Sequence, residues 1–220
     1  MTKLRFADQG EAADLCAFLS RLLHYDRAAA VRLQGAGEAV AVYGSPASFE
    51  VLAVRAVRLA EPVDSLDVTV SAGELLEAVG EEAGGAAAAV VPEAVTGPSW
   101  AGLLPPRGGW RAEESLPGET LRGLVAAAVA EFRRRVEEIP PQERTRAELD
   151  RTGRQIWART VDGTGLPVRA VHAAQSLGFL RPGAHPQILS CGSWLRLRTP
   201  YGSVAVRRAG RLGGLGVGVA

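Results

Sequence analysis

The sequence predicts an α+β fold, with an N-terminal mixed sheet carrying two helices and a C-terminal unit of three helices and a β-hairpin. Three observations carry this reading. The hydrophobic period switches from helical to alternating within the first 45 residues and switches back after residue 70. Residues 92–118 gather five prolines and five glycines before the helical period returns. The last strongly patterned stretch, Gln187–Arg208, alternates once more and contains a Pro-Tyr-Gly turn. The predicted division is an α+β domain at 1–91, an ordered Pro/Trp-rich connection at 92–118 and a basic helical domain with a terminal hairpin at 119–220.

The first helix is predicted from Gly10 to His24. Leu15, Phe18, Leu19, Leu22 and Leu23 share one stripe there, Asp8 is a suitable N-cap, and His24 suits the C-terminal end of the dipole. Ala30–Tyr43 reads as a hairpin turning at Gly35-Ala36-Gly37, and Phe49–Leu59 as a strand with apolar residues on both faces, hence central in a sheet. A short strand follows at Leu66–Val70. Ser71 with Glu74 has capping-box spacing for a helix over 72–79, ended by Gly80, Gly84 and Gly85, and Ala86–Val91 returns to the sheet.

In the second half, Leu121, Leu124, Val125, Ala128, Val129, Phe132 and Val136 form one helical stripe, ended by Pro140-Pro141. A second helix is predicted from Gln142 to Thr160, burying Leu149, Ile156 and Trp157. A third opens at Pro167, buries Val168, Val171, Ala174 and Leu177, and ends at Gly178. The final hairpin pairs Gln187–Thr199 with Ser203–Arg208, and the Gly-rich tail from Gly210 is expected to fray.

Composition narrows the function classes. With 220 residues, 47% of them hydrophobic, the chain has ample material for a core, and aromatics at 5% leave that core mainly to Leu, Val and Ala. Lys3 is the only lysine beside 24 arginines, a bias that a GC-rich genome produces by itself. Cys16 and Cys191, the only cysteines, cannot make a disulfide framework or a four-sulfur metal site, so reduced thiols and a cytoplasmic location are expected. No stretch approaches the ~18 uninterrupted apolar residues of a membrane span, and no signal-peptide pattern opens the chain, so no membrane association is expected.

Charge is divided unevenly. Residues 1–118 hold 9 Lys+Arg against 16 Asp+Glu, a net of −7, while residues 119–220 hold 16 Arg against 8 Asp+Glu, a net of +8. Codon bias acts on both halves alike and does not explain the split. The basic half is suited to polyanions, and the two halves are suited to each other, within one molecule or between molecules.

The three helices and hairpin of the basic half resemble a winged-helix module in outline, without a sequence motif. The resemblance implies that the helix at 166–178 reads the major groove of double-stranded DNA through Arg169, His172, Gln175 and Ser176. It also implies that the hairpin, as the wing, contacts phosphates through Arg196, Arg198, Arg207 and Arg208. The first two helices are longer than that module's, and Pro140-Pro141 leaves little room for its short strand.

Enzyme signatures fail. Cys191-Gly192-Ser193-Trp194 resembles the papain-type sequence, but serine stands at the nucleophile's place and no histidine follows it. Gly97-Pro98-Ser99-Trp100-Ala101 lacks the last glycine of a nucleophile elbow, and Gly214, Gly216 and Gly218 precede no helix that could receive a dinucleotide. His24, His172 and His185 are too dispersed for a local zinc site, and no metal or cofactor is expected. Adjacent carboxylates, Glu81-Glu82 and Glu113-Glu114, point apart and read as solvated.

The connection at 92–118 carries Trp100, Arg107 and Trp110 among rigid prolines. Those residue types favour a partner-docking loop, and equally an internal clamp. The sequence therefore favours a non-enzymatic binding or regulatory protein: a duplex-DNA binder through the basic half or, alternatively, a protein-interaction or assembly module using complementary acidic and basic halves, with a protein partner or further copies of itself.

Overall fold

A computed structural model describes residues 2–63, 65–81 and 87–208. It is an α+β structure, as the alternation of periods predicts, and every strand pairing in it is antiparallel.

The first half begins with a short strand β1 (Lys3–Arg5) and helix α1 (Gln9–Tyr25). Asp8 caps α1 by accepting a hydrogen bond from the Glu11 N–H at 2.9 Å. Strands β2 (Ala30–Gly35), β3 (Ala39–Gly44) and β4 (Leu52–Arg58) then form a meander, and β5 (Asp67–Ser71) returns to pair with β2. Ser71 Oγ accepts from the Glu74 N–H at 3.4 Å and starts helix α2 (Ala72–Glu81). Strand β6 (Ala88–Val90) pairs with β1. Residue 86, the expected start of this strand, lies outside the described residues, as do Gly84, Gly85 and the tail from 209.

The second half holds strand β7 (Arg111–Ser115), helices α3 (Gly118–Glu138), α4 (Arg146–Trp157) and α5 (Val168–Ser176), and a second meander, β8 (Gln187–Cys191), β9 (Trp194–Thr199) and β10 (Gly202–Arg207). Helix α4 is shorter than the expected Gln142–Thr160, because Pro141–Glu143 forms a separate 3-10 turn and Thr145 supplies the cap, accepting from Glu148 N–H. The expected long arm from Gln187 to Thr199 is two strands, because Gly192 adopts a left-handed φ of 53° and turns the chain.

These strands join into one eight-stranded sheet of order β5-β2-β3-β4-β10-β9-β8-β7. The last strand of each meander meets at the centre, where Ser203, Val204 and Ala205 stand opposite Val54, Ala53 and Leu52. The final hairpin is thus the interior of a sheet, and the protruding wing implied by the winged-helix resemblance is not present. Strand β7 lies within the expected connecting loop; its five residues are all exposed at the sheet edge, so no apolar alternation marks it.

Alternation along the strands gives the sheet two faces. Val31, Leu33, Val40, Val42, Ala53 and Val57 in the first half, and Leu195, Leu197, Val204 and Val206 in the second, pack against α1, α2, α3 and α5 in one continuous core. Gly202 (φ 148°) seals this core, since a Cβ there would lie 2.5 Å from the ring of Phe179, which stacks on Phe18 of α1 at 5.8 Å. On the opposite face, Leu52, Trp194 and Ala205 form a smaller cluster with Trp100, Leu104 and Trp110. The connection is therefore an ordered strap across the back of the sheet, held also by hydrogen bonds from Arg32 to the Ala101 carbonyl and from Val95 N–H to the Thr69 carbonyl.

Beside the central pair, Arg55 of β4 projects into the helical side of the sheet and is 6% exposed. It donates to the Tyr201 carbonyl (2.8 Å), Asp14 (3.0 Å) and Glu11 (3.3 Å). Asp14 also pairs with Arg181 at 2.7 Å, and the Arg181 guanidinium lies 4.1 Å over the Tyr201 ring. One buried cation thereby ties α1, β4 and the β9–β10 turn. Arg55→Met leaves two carboxylates and a carbonyl without their shared donor and is expected to lower unfolding free energy by about 3–5 kcal/mol. Arg58→Ala, whose side chain is 70% exposed, should cost about 1 kcal/mol or less. Urea denaturation of the two variants measures both, and equal losses would contradict the central role of Arg55.

Candidate functional site

On the helical side, a cleft of about 620 Å³ opens between the two halves. Its floor comes from α4 and α5. Each presents an arginine and, three residues later, a ring: Arg154 with Trp157 on α4, and Arg169 with His172 on α5. Spacing of three places both members of each pair on one helical face. The two rings stack at 4.6 Å with planes 28° apart. The row continues edge-on to Phe49 (5.1 Å from His172) and then to Tyr25 (5.1 Å from Phe49), and on the other side to Phe132 of α3 (6.4 Å from Trp157).

The rim from the first half is the loop Ser48-Phe49-Glu50. Ser48 (φ 73°) and Glu50 (φ 52°) are non-glycine residues with left-handed backbone, flanking the buried Phe49 ring. Such a conformation is costly for L-residues and persists where surrounding structure imposes it, often at ligand clamps. The loop is braced by Ser45 Oγ donating to the Val51 carbonyl at 3.1 Å.

The cleft lining sets two arginines, Arg154 and Arg169, against two carboxylates, Glu50 and Asp150. Arg169 Nε is buried and finds no hydrogen-bond partner among the described residues. The Glu50 carboxylate stands 3.8 Å from it, within ion-pair range but too far for a hydrogen bond. Arg154 is exposed and has no acidic partner among the described residues. Burial disfavours the charged form and pushes the His172 imidazole below its ordinary value.

The residues expected to contact DNA do not form one surface. Arg169 and His172 turn into the cleft. Ser176 is half-buried and Gln175 is exposed at the end of α5, most of whose other residues are packed into the core. Arg196, Arg198 and Arg207 lie on the opposite face of the sheet, the face of Trp194 and Ala205. Arg196 is half-buried there, donating to Ser203 Oγ at 2.8 Å and lying 5.4 Å from the Trp110 ring, and burial pushes its guanidinium below the ordinary value. Arg198, Arg207 and Arg208 are exposed, with Arg207 above the Trp194 ring at 5.9 Å. In the strap, Trp100 and Trp110 are half-buried against the sheet, Trp110 donating to the Pro106 carbonyl at 2.8 Å, while Arg107 is exposed.

Sequence reasoning assigned Leu149 and Trp157 to the core, but both line the cleft and only Ile156 of that stripe is fully buried. It also passed over Tyr25, Phe49, Glu50, Phe132 and Arg154. The repeated Arg-x-x-ring spacing on consecutive helices is the one signal that could have drawn attention to the floor. Among the described residues, no cluster of three or more His, Cys, Asp or Glu is placed to hold a metal, and no helix is long and apolar enough to cross a membrane.

Glu131 of α3 fixes the floor of the cleft by pairing with Arg159, just past α4, at 2.5 Å and with Arg135 at 2.6 Å. The Arg159 hydrogen bond leads in holding its carboxyl down at about 2, from an ordinary 4.5. Because the folded value is depressed, the stabilisation is full above pH ~4.5 and is lost as pH falls toward 2. Carboxyl titration by NMR should find Glu131 ionised at pH 3.5, and Arg159→Ala should return it toward 4.5. An unshifted Glu131 in the unsubstituted protein would remove this clamp.

Comparison with protein families matches residues 1–102 to one family, described as Domain of unknown function (DUF8010), and residues 105–211 to a second, described as Domain of unknown function (DUF8185). A search of curated proteins finds no match. The boundary between the two matched segments falls within the strap, directly after its 3-10 turn at Ser99–Gly102.

Proposed function

We propose that the chain is a binding protein that captures a small ring-bearing molecule in the cleft between its halves. One observation carries this reading: the half-buried His172–Trp157 stack, with Phe49 edge-on beside it, lines a solvent-facing cleft. Its volume of about 620 Å³ lies within the range of roughly 300–1,000 Å³ usual for small-molecule pockets. The strained Ser48 and Glu50 on the rim support the same reading, since backbone strain gathers at clamps. Walls from both halves give binding a regulatory consequence. A ligand touching Phe49 and Trp157 together stabilises the arrangement in which the halves are docked.

Duplex DNA is less well supported. The reader-helix positions Arg169 and His172 are engaged in the cleft, and the exposed Arg198 and Arg207 lie across the sheet from Gln175. A homomeric assembly through the acidic and basic halves competes with pairing inside the molecule, where Asp14 meets Arg181 and Glu50 meets Arg169.

The uncharged fluorophore N-phenyl-1-naphthylamine tests the cleft directly. It is expected to brighten on binding and, at ~100 times its Kd, to stabilise the fold by about 2.7 kcal/mol, which for a chain of this size raises Tm by roughly 5–10 °C. Trp157→Ala should weaken binding by about tenfold, the scale of one aromatic stacking contact. No binding by the folded protein would refute the cleft as a ring site.

Anisotropy titration with a mixed-sequence duplex addresses the other reading. With few hairpin arginines exposed on one face, any binding should be weak and its log–log salt dependence shallow, at about −0.9 per phosphate neutralised. Nanomolar, sequence-selective binding would replace the cleft proposal with the DNA one.

A further inference from the structure

Resting on the reading of the cleft as a ring-binding site, we propose that its ligand is a planar aromatic acid whose anionic group is taken by Arg169 and Arg154, displacing Glu50. The argument begins with an unmet donor. Arg169 Nε is buried without a hydrogen-bond partner among the described residues, although its side chain lines the cleft and retains 26% exposure. A guanidinium presents a fixed fork of donors and is best satisfied by a planar carboxylate or by the oxygens of a phosphate or sulfonate.

The protein's own carboxylate does not complete that fork. The Glu50 carboxylate stands 3.8 Å from Arg169 Nε, its side chain is 79% exposed, and its backbone is held at φ 52°. It contributes charge without a hydrogen bond, so a mobile acid with better geometry outcompetes it at small cost. Arg154 supplies a second positive charge on the same floor, one helical turn from Asp150, whose carboxylate pairs with Arg146 at 3.9 Å.

The two arginines precede the two stacked rings by three residues on their helices. Arginines and rings therefore share a single floor. A molecule that joins a flat ring to an acid group meets both. A neutral ring leaves Arg169 Nε unpaired, and a bare inorganic anion leaves the His172–Trp157 stack uncovered. The chemistry does not distinguish a carboxylate from a sulfonate or a phosphate, because all three offer coplanar or tripodal oxygens to the fork.

Two fluorophores with the same ring system separate the acid from the ring: 1-anilinonaphthalene-8-sulfonate and N-phenyl-1-naphthylamine, which lacks the sulfonate. The unsubstituted protein is expected to bind the sulfonate at least ~10-fold more tightly. Arg169→Gln should abolish that preference while leaving the neutral probe's affinity unchanged. Arg154→Gln, at an exposed position that the fold does not depend on, should reduce the preference several-fold and keeps the test valid if Arg169→Gln fails to fold. Glu50→Gln should tighten sulfonate binding several-fold, because the competing carboxylate is gone. Equal affinity for the two probes, with no effect of Arg154→Gln, overturns the acid assignment while the ring site stands. Weaker sulfonate binding by Glu50→Gln overturns the displacement of Glu50. Failure of both probes to bind the folded protein removes the ring site itself.

Discussion

The antiparallel pairing of β4 with β10 is the constraint on which the rest of the structure depends. It joins strands about 150 residues apart in sequence and converts two separate meanders into one sheet. Closing so long a loop costs entropy before any contact rewards it, so the pairing needs strong local reinforcement. Arg55 supplies much of it. A buried guanidinium needs its charge compensated: Arg55 donates through its two terminal nitrogens to acceptors on α1 and on the turn that opens β10, while its Nε, like that of Arg169, finds no hydrogen-bond partner among the described residues. Gly202 adds a steric condition at the same turn, where only a residue without a side chain lets Phe179 close over the junction.

The cleft follows from that pairing. The strained loop at 48–50 leads directly into β4, and α5 packs on β10 through its apolar face. Bringing β4 and β10 together therefore brings Phe49 onto His172 and Glu50 toward Arg169. Neither half carries the cleft alone, since Tyr25, Phe49 and Glu50 come from the first and Phe132, Arg154, Trp157, Arg169 and His172 from the second. A site so composed reports on whether the halves are docked, which is why a regulatory role accompanies the binding role proposed for it.

The back of the sheet is closed by different means. Its strands carry polar residues such as Arg32, Gln34, Asp67, Arg196 and Ser203 among a few apolar ones, and the strap covers the apolar part with Trp100, Leu104 and Trp110. Arg32 and Asp67 pair at 2.7 Å beside it, and that hydrogen bond holds the Asp67 carboxyl below its usual range. The arginines of β9 that alternate with leucines thus serve two ends. Arg196 is absorbed under Trp110, and Arg198 remains in solvent.

What the sequence determined by itself is local. Asp8 and Ser71 mark helix starts because a capping side chain needs only its own next turn, Gly178 ends α5 because only the backbone of that residue must turn left-handed, and the leucine and valine stripes of α1, α3 and the central strands record burial on one face. The presence of an ordered, tryptophan-bearing connection was legible for the same reason, from rigid prolines beside large apolar rings. Tertiary structure alone decided the rest. Strand β7 shows no alternation because an edge strand in solvent buries nothing, and the pairing of β10 with β4 leaves no mark that distinguishes it from an isolated hairpin, since both require the same alternation of side chains. The cleft was invisible for a related reason. A helical stripe such as Leu149, Ile156 and Trp157 specifies that a face meets something, but whether that face is sealed by protein or lines a cavity depends on how far the opposing half stands from it, and that distance is set by Arg55 and the central strand pair, not by α4.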